Sequence, residues 1–186
     1  MTLQEIISDG QARLEYDPDA FSHVQTDELL TGVAWRQNTI RIYGKDHLEP
    51  RLTAWYGPEY RYSSIRWLAQ PFTPQLETLR EELERLTGFP FNAVLINRYR
   101  NGKDAMGWHR DNEPEIDQAL IASVSFGATR DFLIRRKGEK QSTSVSLSHG
   151  SLLLMHHMQT AHEHALPKRL RVHEERVNLT FRRIIG

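Results

Sequence analysis

Two periodicities divide the 186-residue chain. Between Pro74 and Thr87, Leu76, Leu79, Leu83 and Leu86 recur at spacings of three and four with acids between them, which predicts one amphipathic helix. Thr73 is placed to cap it, Pro74 takes its first position and Gly88 follows its end. From Phe91 onward the period drops to two. Phe91–Tyr99, Ala122–Phe126, Asp131–Arg136, Thr143–Leu147, Ser151–Met155 and Glu175–Ile184 are short, β-branched or aromatic, and bounded by turn residues, so each is predicted as a strand. Upstream of the helix, Asn38–Tyr43 alternates polar and apolar residues up to Gly44. Arg51–Tyr56 reads as extended and precedes Gly57-Pro58 and the aromatic-rich Tyr60-Arg61-Tyr62. The polar start of the chain carries one short helix expected near Thr26 or Asp27. Closely spaced strands without intervening helices predict an α+β protein with a β core, an antiparallel sandwich or jelly roll, the helix lying on one sheet's outer face.

Composition narrows the class without altering that picture. The length suits one domain, and 39% apolar with 26% charged residues describes an ordinary globular chain. No apolar run approaches the roughly 18–20 residues of a membrane span, so no membrane partner is expected. Cysteine is absent, which excludes disulfides, thiolate zinc sites, Fe–S clusters and a Cys nucleophile, and fits a reducing, cytoplasmic location. Any metal must rest on His and carboxylates. The formal net charge is zero, but it is unevenly spread. Residues 1–34 hold seven acids and one base, Arg13, the wrong charge for a targeting peptide. Residues 130–183 hold eleven Lys/Arg against five Asp/Glu, enough for one basic face on a neutral protein.

The candidate chemistry lies in the second half. In His109-Arg110-Asp111 the imidazole and carboxylate are two residues apart, on one face of an extended chain, and can converge on one ion. One more histidine from His149, His156, His157, His162, His164 or His173 would complete a facial triad of two His and one carboxylate, the arrangement of non-haem Fe(II) oxygenases. In Arg176–Arg182, the polar residues Arg176, Asn178, Thr180 and Arg182 alternate with Val177, Leu179 and Phe181. One face therefore offers two guanidinium groups spaced to grip a dicarboxylate. Asn97 and Tyr99 likewise share a face of their strand.

Six ordered motifs complete the pattern: Leu95-Ile96-Asn97-Arg98-Tyr99, His109-x-Asp111, Ser123-Val124-Ser125-Phe126-Gly127, His149-Gly150-Ser151-Leu152, His164-Ala165-Leu166-Pro167 and Arg176–Arg182. In this order they resemble the AlkB-type Fe(II)/2-oxoglutarate dioxygenases, most nearly the branch with the mammalian duplex-DNA repair homologue, over residues 35 to 184. The resemblance implies a double-stranded β-helix with a nucleotide-recognition lid in the N-terminal half. Residues 1–34 would form an extension with a short helix, 35–90 the lid and supporting helix, and 91–186 the jelly-roll core. It further implies Fe(II) held by His109, Asp111 and His164, the catalytic centre, with His162 a rival to His164. Asn97, Tyr99, Arg176, Asn178 and Arg182 would bind 2-oxoglutarate, with dioxygen as second cosubstrate. The implied reaction is oxidative demethylation of N-alkylated bases of the 1-methyladenine or 3-methylcytosine type in DNA. It releases formaldehyde and turns 2-oxoglutarate into succinate and CO2. For the substrate, Tyr62 would stack on the flipped base, Glu113 would contact its exocyclic amine and Tyr43 would wedge into the duplex. Arg51, with Lys137, Arg135, Arg136, Lys168 and Arg169, would meet phosphates. The expected partner is alkylated DNA acted on by a monomer. An oxygenase acting on RNA or another substrate, and a non-catalytic nucleic-acid-binding module with a structural His cluster, are the alternatives.

Overall fold

The structure is a computed structural model that describes residues 2–42, 44–62 and 65–185, the side chains at 41, 42, 61, 62 and 65 excepted. Its strands are β1 (Gln4–Asp9), β2 (Ala12–Asp17), β3 (Thr39–Ile42), β4 (Lys45–Leu48), β5 (Leu52–Tyr56), β6 (Tyr60–Tyr62), β7 (Ile65–Trp67), β8 (Ala93–Tyr99), β9 (Met106–His109), β10 (Ile121–Gly127), β11 (Arg130–Arg136), β12 (Thr143–Leu147), β13 (Ser151–His156), β14 (His162–Leu166) and β15 (Arg176–Arg182). Two helices accompany them, α1 (Thr26–Leu29) and α2 (Pro74–Thr87), with one 3-10 turn at Met158–Thr160. Among the described residues no helix is long and apolar enough to cross a membrane.

Seven strands form a major antiparallel sheet in the order β1-β2-β13-β10-β15-β8-β5. Four form a minor sheet, β12-β11-β14-β9, and β3–β4 and β6–β7 are separate hairpins. The strand order alternates early and late segments, as expected of a jelly roll. Helix α2 begins as its sequence predicts, with the Leu76 N–H donating to Thr73 Oγ1 at 3.2 Å, and ends at Gly88 in the left-handed region (φ 67°). Its buried Leu76, Leu79 and Leu83 join Val94, Ile96, Leu179 and Phe181 in one cluster on the outer face of the major sheet. A second cluster, including Leu14, Trp55, Ile121, Phe132, Ile134 and Leu153, fills the space between the sheets.

The predicted strands recur within a residue or two of their expected ends. The strands β1, β2, β4, β6, β7 and β14 have no sequence-based counterpart, and of β9 only the extended end at His109 is expected. The expected boundary at residue 34 is no break in the packing. Strand β2 pairs with β13 from Asp17↔Leu152 to Arg13↔His156, so the acidic start of the chain supplies the last two strands of the major sheet. Seven charged or polar residues among the twelve in these two strands hid them, because an edge hairpin needs only one apolar face. Helix α1 begins at Thr26 as expected.

Candidate active site

The site lies between the two sheets, and β15 explains its chemistry. All seven residues of β15 are buried. Val177, Leu179 and Phe181 enter the helix-side cluster, so strand alternation sends Arg176, Asn178, Thr180 and Arg182 into the interior between the sheets. There they line a cavity whose empty space, open solvent included, is about 840 Å³, together with Asn97 and Tyr99 of β8 and Ser123 of β10. Strand register places Tyr99 opposite Arg176 and Asn97 opposite Asn178.

The metal-ligating candidates come together at one end. His109 closes β9 and pairs with His164 of β14, their rings 4.2 Å apart between centroids. Asp111 lies in the loop just beyond β9, where its N–H donates to Gln159 Oε1 at 3.0 Å and its carbonyl accepts from Gln118 Nε2 at 3.0 Å. One donor atom from each of His109, Asp111 and His164 lies within 4.8 Å of the others, the sole such group among the described residues. His109 Nδ1 donates to the Gly107 carbonyl at 2.8 Å, which leaves Nε2 as the lone-pair nitrogen for an ion. Burial lowers the pKa of both imidazoles, that of His164 to about 3, so both are neutral ligands at physiological pH. Burial pushes the Asp111 carboxyl up, but Arg182, backed by His109 and His164, overrides it and holds the group below the ordinary carboxylate range. Arg182 Nη2 donates to Asp111 Oδ2 at 2.6 Å.

The other histidines are occupied elsewhere. His149 Nδ1 accepts from the Gly127 N–H, His156 pairs with Glu15 at 2.8 Å, and His173 is exposed. His157 opens the 3-10 turn at φ 49°. His162 shares a face of β14 with His164, but its Nε2 lies 3.5 Å from Asp9 Oδ2 and it stands outside the triad.

The opposite end is cationic. Arg176 is buried, donates to Ser125 Oγ at 2.8 Å, and its Nε has no partner among the described residues. Burial lowers its pKa to about 10, which still leaves it charged. Asn178 is fully used, donating to Ser123 Oγ and the Val124 carbonyl and accepting from Thr180 Oγ1. The third wall is aromatic: Trp55, Tyr60 and Trp67, with Trp55 and Tyr60 stacked at 5.1 Å. Glu113 lies near the Tyr60 phenol of this wall; burial raises its pKa, and its Oε2 is buried without a partner among the described residues.

Arg51 differs from expectation. It does not face outward toward a phosphate but is buried in the cavity wall, donating to Asn97 Oδ1 at 2.9 Å and Glu49 Oε1 at 2.7 Å. The Glu49 carboxylate draws it in, a partner that the Pro50-Arg51 dipeptide alone does not announce. Arg135, Arg136 and Arg169 are paired with Glu163, Asp9 and Asp131. Tyr43 lies outside the described residues, and Tyr62 belongs to β6 by its backbone only. Sequence reasoning missed Gln118 and Gln159, which pin the Asp111 loop, and Trp55 and Trp67, because no spacing rule marks such supports.

Residues 18–182 match a family model described as the 2OG-Fe(II) oxygenase superfamily. The chain belongs to that superfamily. This oxygenase is of the AlkB type: it is 44% identical over 171 residues to the human DNA oxidative demethylase ALKBH2, covering 85% of this chain and 64% of that protein. It is 40% identical over 171 residues to the human alpha-ketoglutarate-dependent dioxygenase alkB homolog 3, covering 85% and 60%. The oxygenase thus spans somewhat under two thirds of the length of either human relative. The solved structure of OsALKBH1 superposes with a TM-score of 0.68 over 98% of this chain and 100% of that one, at 16% identity, a likeness of fold. Fe(II), 2-oxoglutarate and dioxygen are the requirements of this family, and the site fits the first two. Its nitrogen and carboxylate donors suit a divalent iron, and the unpaired, buried Arg176 suits a dicarboxylate.

Proposed function

We propose that this chain is an Fe(II)- and 2-oxoglutarate-dependent demethylase of N-alkylated bases, of the 1-methyladenine or 3-methylcytosine type, in DNA. The observation that carries this reading is the shared cavity. It holds a two-histidine, one-carboxylate group, an uncompensated guanidinium and an aromatic wall, and only a reaction joining a metal, a dianion and a flat ring uses all three. The relatives named for DNA demethylation support the substrate class.

In this reading His109, Asp111 and His164 hold the ion from one side and leave its other side open to the cavity. Arg182 keeps Asp111 ionised and oriented. Arg176 grips the distal carboxylate of 2-oxoglutarate from a dry site, with the Tyr99 and Asn97 side chains alongside. Iron, 2-oxoglutarate and dioxygen together would supply the chemistry that hydroxylates an N-methyl carbon, one oxygen atom passing to that carbon and the other to the succinate formed as CO2 leaves. A base within a helical stack cannot reach a cavity between two sheets, so the target nucleotide is flipped out. The wall of Trp55, Tyr60 and Trp67 gives its ring a flat apolar seat, and Tyr60 with Glu113 sets polar groups toward its pairing edge. The hydroxymethyl group then leaves as formaldehyde, restoring the base. Mass spectrometry of methylated DNA and RNA oligonucleotides, incubated with protein, Fe(II), ascorbate and 2-oxoglutarate, tests the proposal. Loss of one methylene mass from DNA, dependent on every component, is expected. Loss confined to RNA would reassign the substrate, and no loss from either would overturn the reading.

A further inference from the structure

The largest fully buried side chain of the protein is a cation with no assigned task. Arg130, at the start of β11, is 2% exposed. Among the described residues its guanidinium meets no carboxylate; it donates to three backbone carbonyls, Asn101 at 3.3 Å, Asp104 at 3.0 Å and Pro167 at 2.7 Å. Its Nε is buried without a partner. The Asp104 and Asp131 carboxylates act on it only at longer range, and burial lowers its pKa in spite of them, so a compensating role is expected.

Its surroundings indicate the role. The three carbonyls belong to two loops, one leaving β8 just after Tyr99 and the other leading into β15 just before Arg176. These loops already touch. The Gly102 N–H donates to the Val172 carbonyl and the Arg169 N–H to the Gly102 carbonyl, both at 2.8 Å, and a Cβ on Gly102 would sit 1.7 Å from the Arg169 oxygen. The turn that delivers Arg130 is held against the same place, with the Ala128 N–H donating to the Glu175 carbonyl at 2.8 Å. Arg130 therefore clamps the end of the cavity where Tyr99 and Arg176 face each other across strands. Its Cζ lies 5.9 Å from the Tyr99 ring centroid, and the Cζ of Arg176 lies 5.4 Å from the same ring. Two buried cations converge on one phenol ring.

We infer that Arg130 is a positioning residue for 2-oxoglutarate: it fixes Tyr99 beside Arg176 and adds its charge to the end of the cavity that takes the distal carboxylate. The inference rests on the dioxygenase reading above. Arg130 is not itself in the cavity wall, so it acts through the ring it holds.

Calorimetric titration of 2-oxoglutarate into the Mn(II)-loaded protein tests this without turnover. Arg130→Gln is expected to weaken binding about tenfold, in the range of one charge-assisted interaction, with Mn(II) affinity unchanged. In a Tyr99→Leu background the same change is expected to matter less than about twofold, because contacting residues are non-additive. Equal losses in both backgrounds, or a lowered melting temperature with unchanged 2-oxoglutarate affinity, would make Arg130 a purely structural clamp and overturn the inference. If Arg130→Gln does not fold, Arg130→Lys, which keeps the charge but loses the fork, carries the same cycle. A wild-type protein that binds Mn(II) yet no 2-oxoglutarate would instead overturn the dioxygenase reading itself.

Discussion

The two ends of strand β15 carry the same side chain in opposite electrostatic circumstances. At one end Arg182 is neutralised within the protein, its guanidinium 2.6 Å from the Asp111 carboxylate. At the other, Arg176 has among the described residues only the Ser125 hydroxyl and the Tyr99 phenol for company, and Arg130 adds a second buried positive charge nearby. A folded chain tolerates a balanced buried pair on its own account, whereas an unbalanced buried cation implies a partner from outside. The difference separates the two tasks of the cavity. The charge at the Arg182 end is balanced by Asp111, although the Arg182 Nε, like that of Arg176, is buried without a partner among the described residues, and the charge at the Arg176 end is balanced only by an anion.

The strongest way to break this contrast is Asp111→Asn. It removes a metal ligand and the partner of Arg182 together. Metal binding should weaken by more than about a hundredfold, beyond what losing an outer-shell partner costs. The melting temperature should also fall, as unpairing a buried charge costs about 3–5 kcal/mol. Calorimetry with Mn(II) and thermal melts check both. Arg176→Gln should act at the other end alone, weakening 2-oxoglutarate binding by roughly ten- to a hundredfold, with Mn(II) affinity intact. An equal loss of metal affinity would show that the ends are not independent.

Acid should expose the metal end selectively. His164 titrates near 6.5 when unfolded but is depressed to about 3 in the folded protein. Between those values the unfolded chain binds the extra proton, so the metal-free protein loses stability as pH falls through this window and gains nothing above it. The lowered Asp111 pKa extends the loss below its ordinary 3.8. Melting temperatures of the metal-free protein between pH 7 and pH 4 should decline below about pH 6.5, and a flat profile would contradict burial of the neutral imidazole. Ser125→Ala removes one neutral hydrogen bond from Arg176, and its effect on 2-oxoglutarate affinity should be roughly two- to tenfold. On the far side of the same sheet, Leu83→Ala should cost about 2–5 kcal/mol of stability, by chemical denaturation, and leave 2-oxoglutarate affinity unchanged.

Much of this was legible along the chain, and the reason differs by element. Helix α2 has its stripe, its cap and its stop encoded within sixteen consecutive residues, so both ends fell where Thr73 and Gly88 placed them. Strand β15 declared two faces by strict alternation. Strand β14, and β9 except for its end at His109, escaped notice because each carries ligand chemistry in place of apolar periodicity: β9 is four residues with a glycine, and β14 holds two histidines and a glutamate. Strands β1 and β2 were obscured by their charge, which an edge position tolerates.

The sequence by itself determined the jelly-roll class, the supporting helix and the residue types able to hold iron and a dicarboxylate, because these depend on local periodicity and on ordered motifs. Tertiary structure supplies the physical reason for His164 over His162, which the ordered motifs already favoured: the pairing of β14 with β9 brings one imidazole to His109 while the other turns to Asp9. It also turned Arg51 inward to Glu49 and gathered Arg130 and Arg176 around Tyr99. Those outcomes depend on which distant strands become neighbours, and Coulomb energy in a dry interior is decided by distance in space.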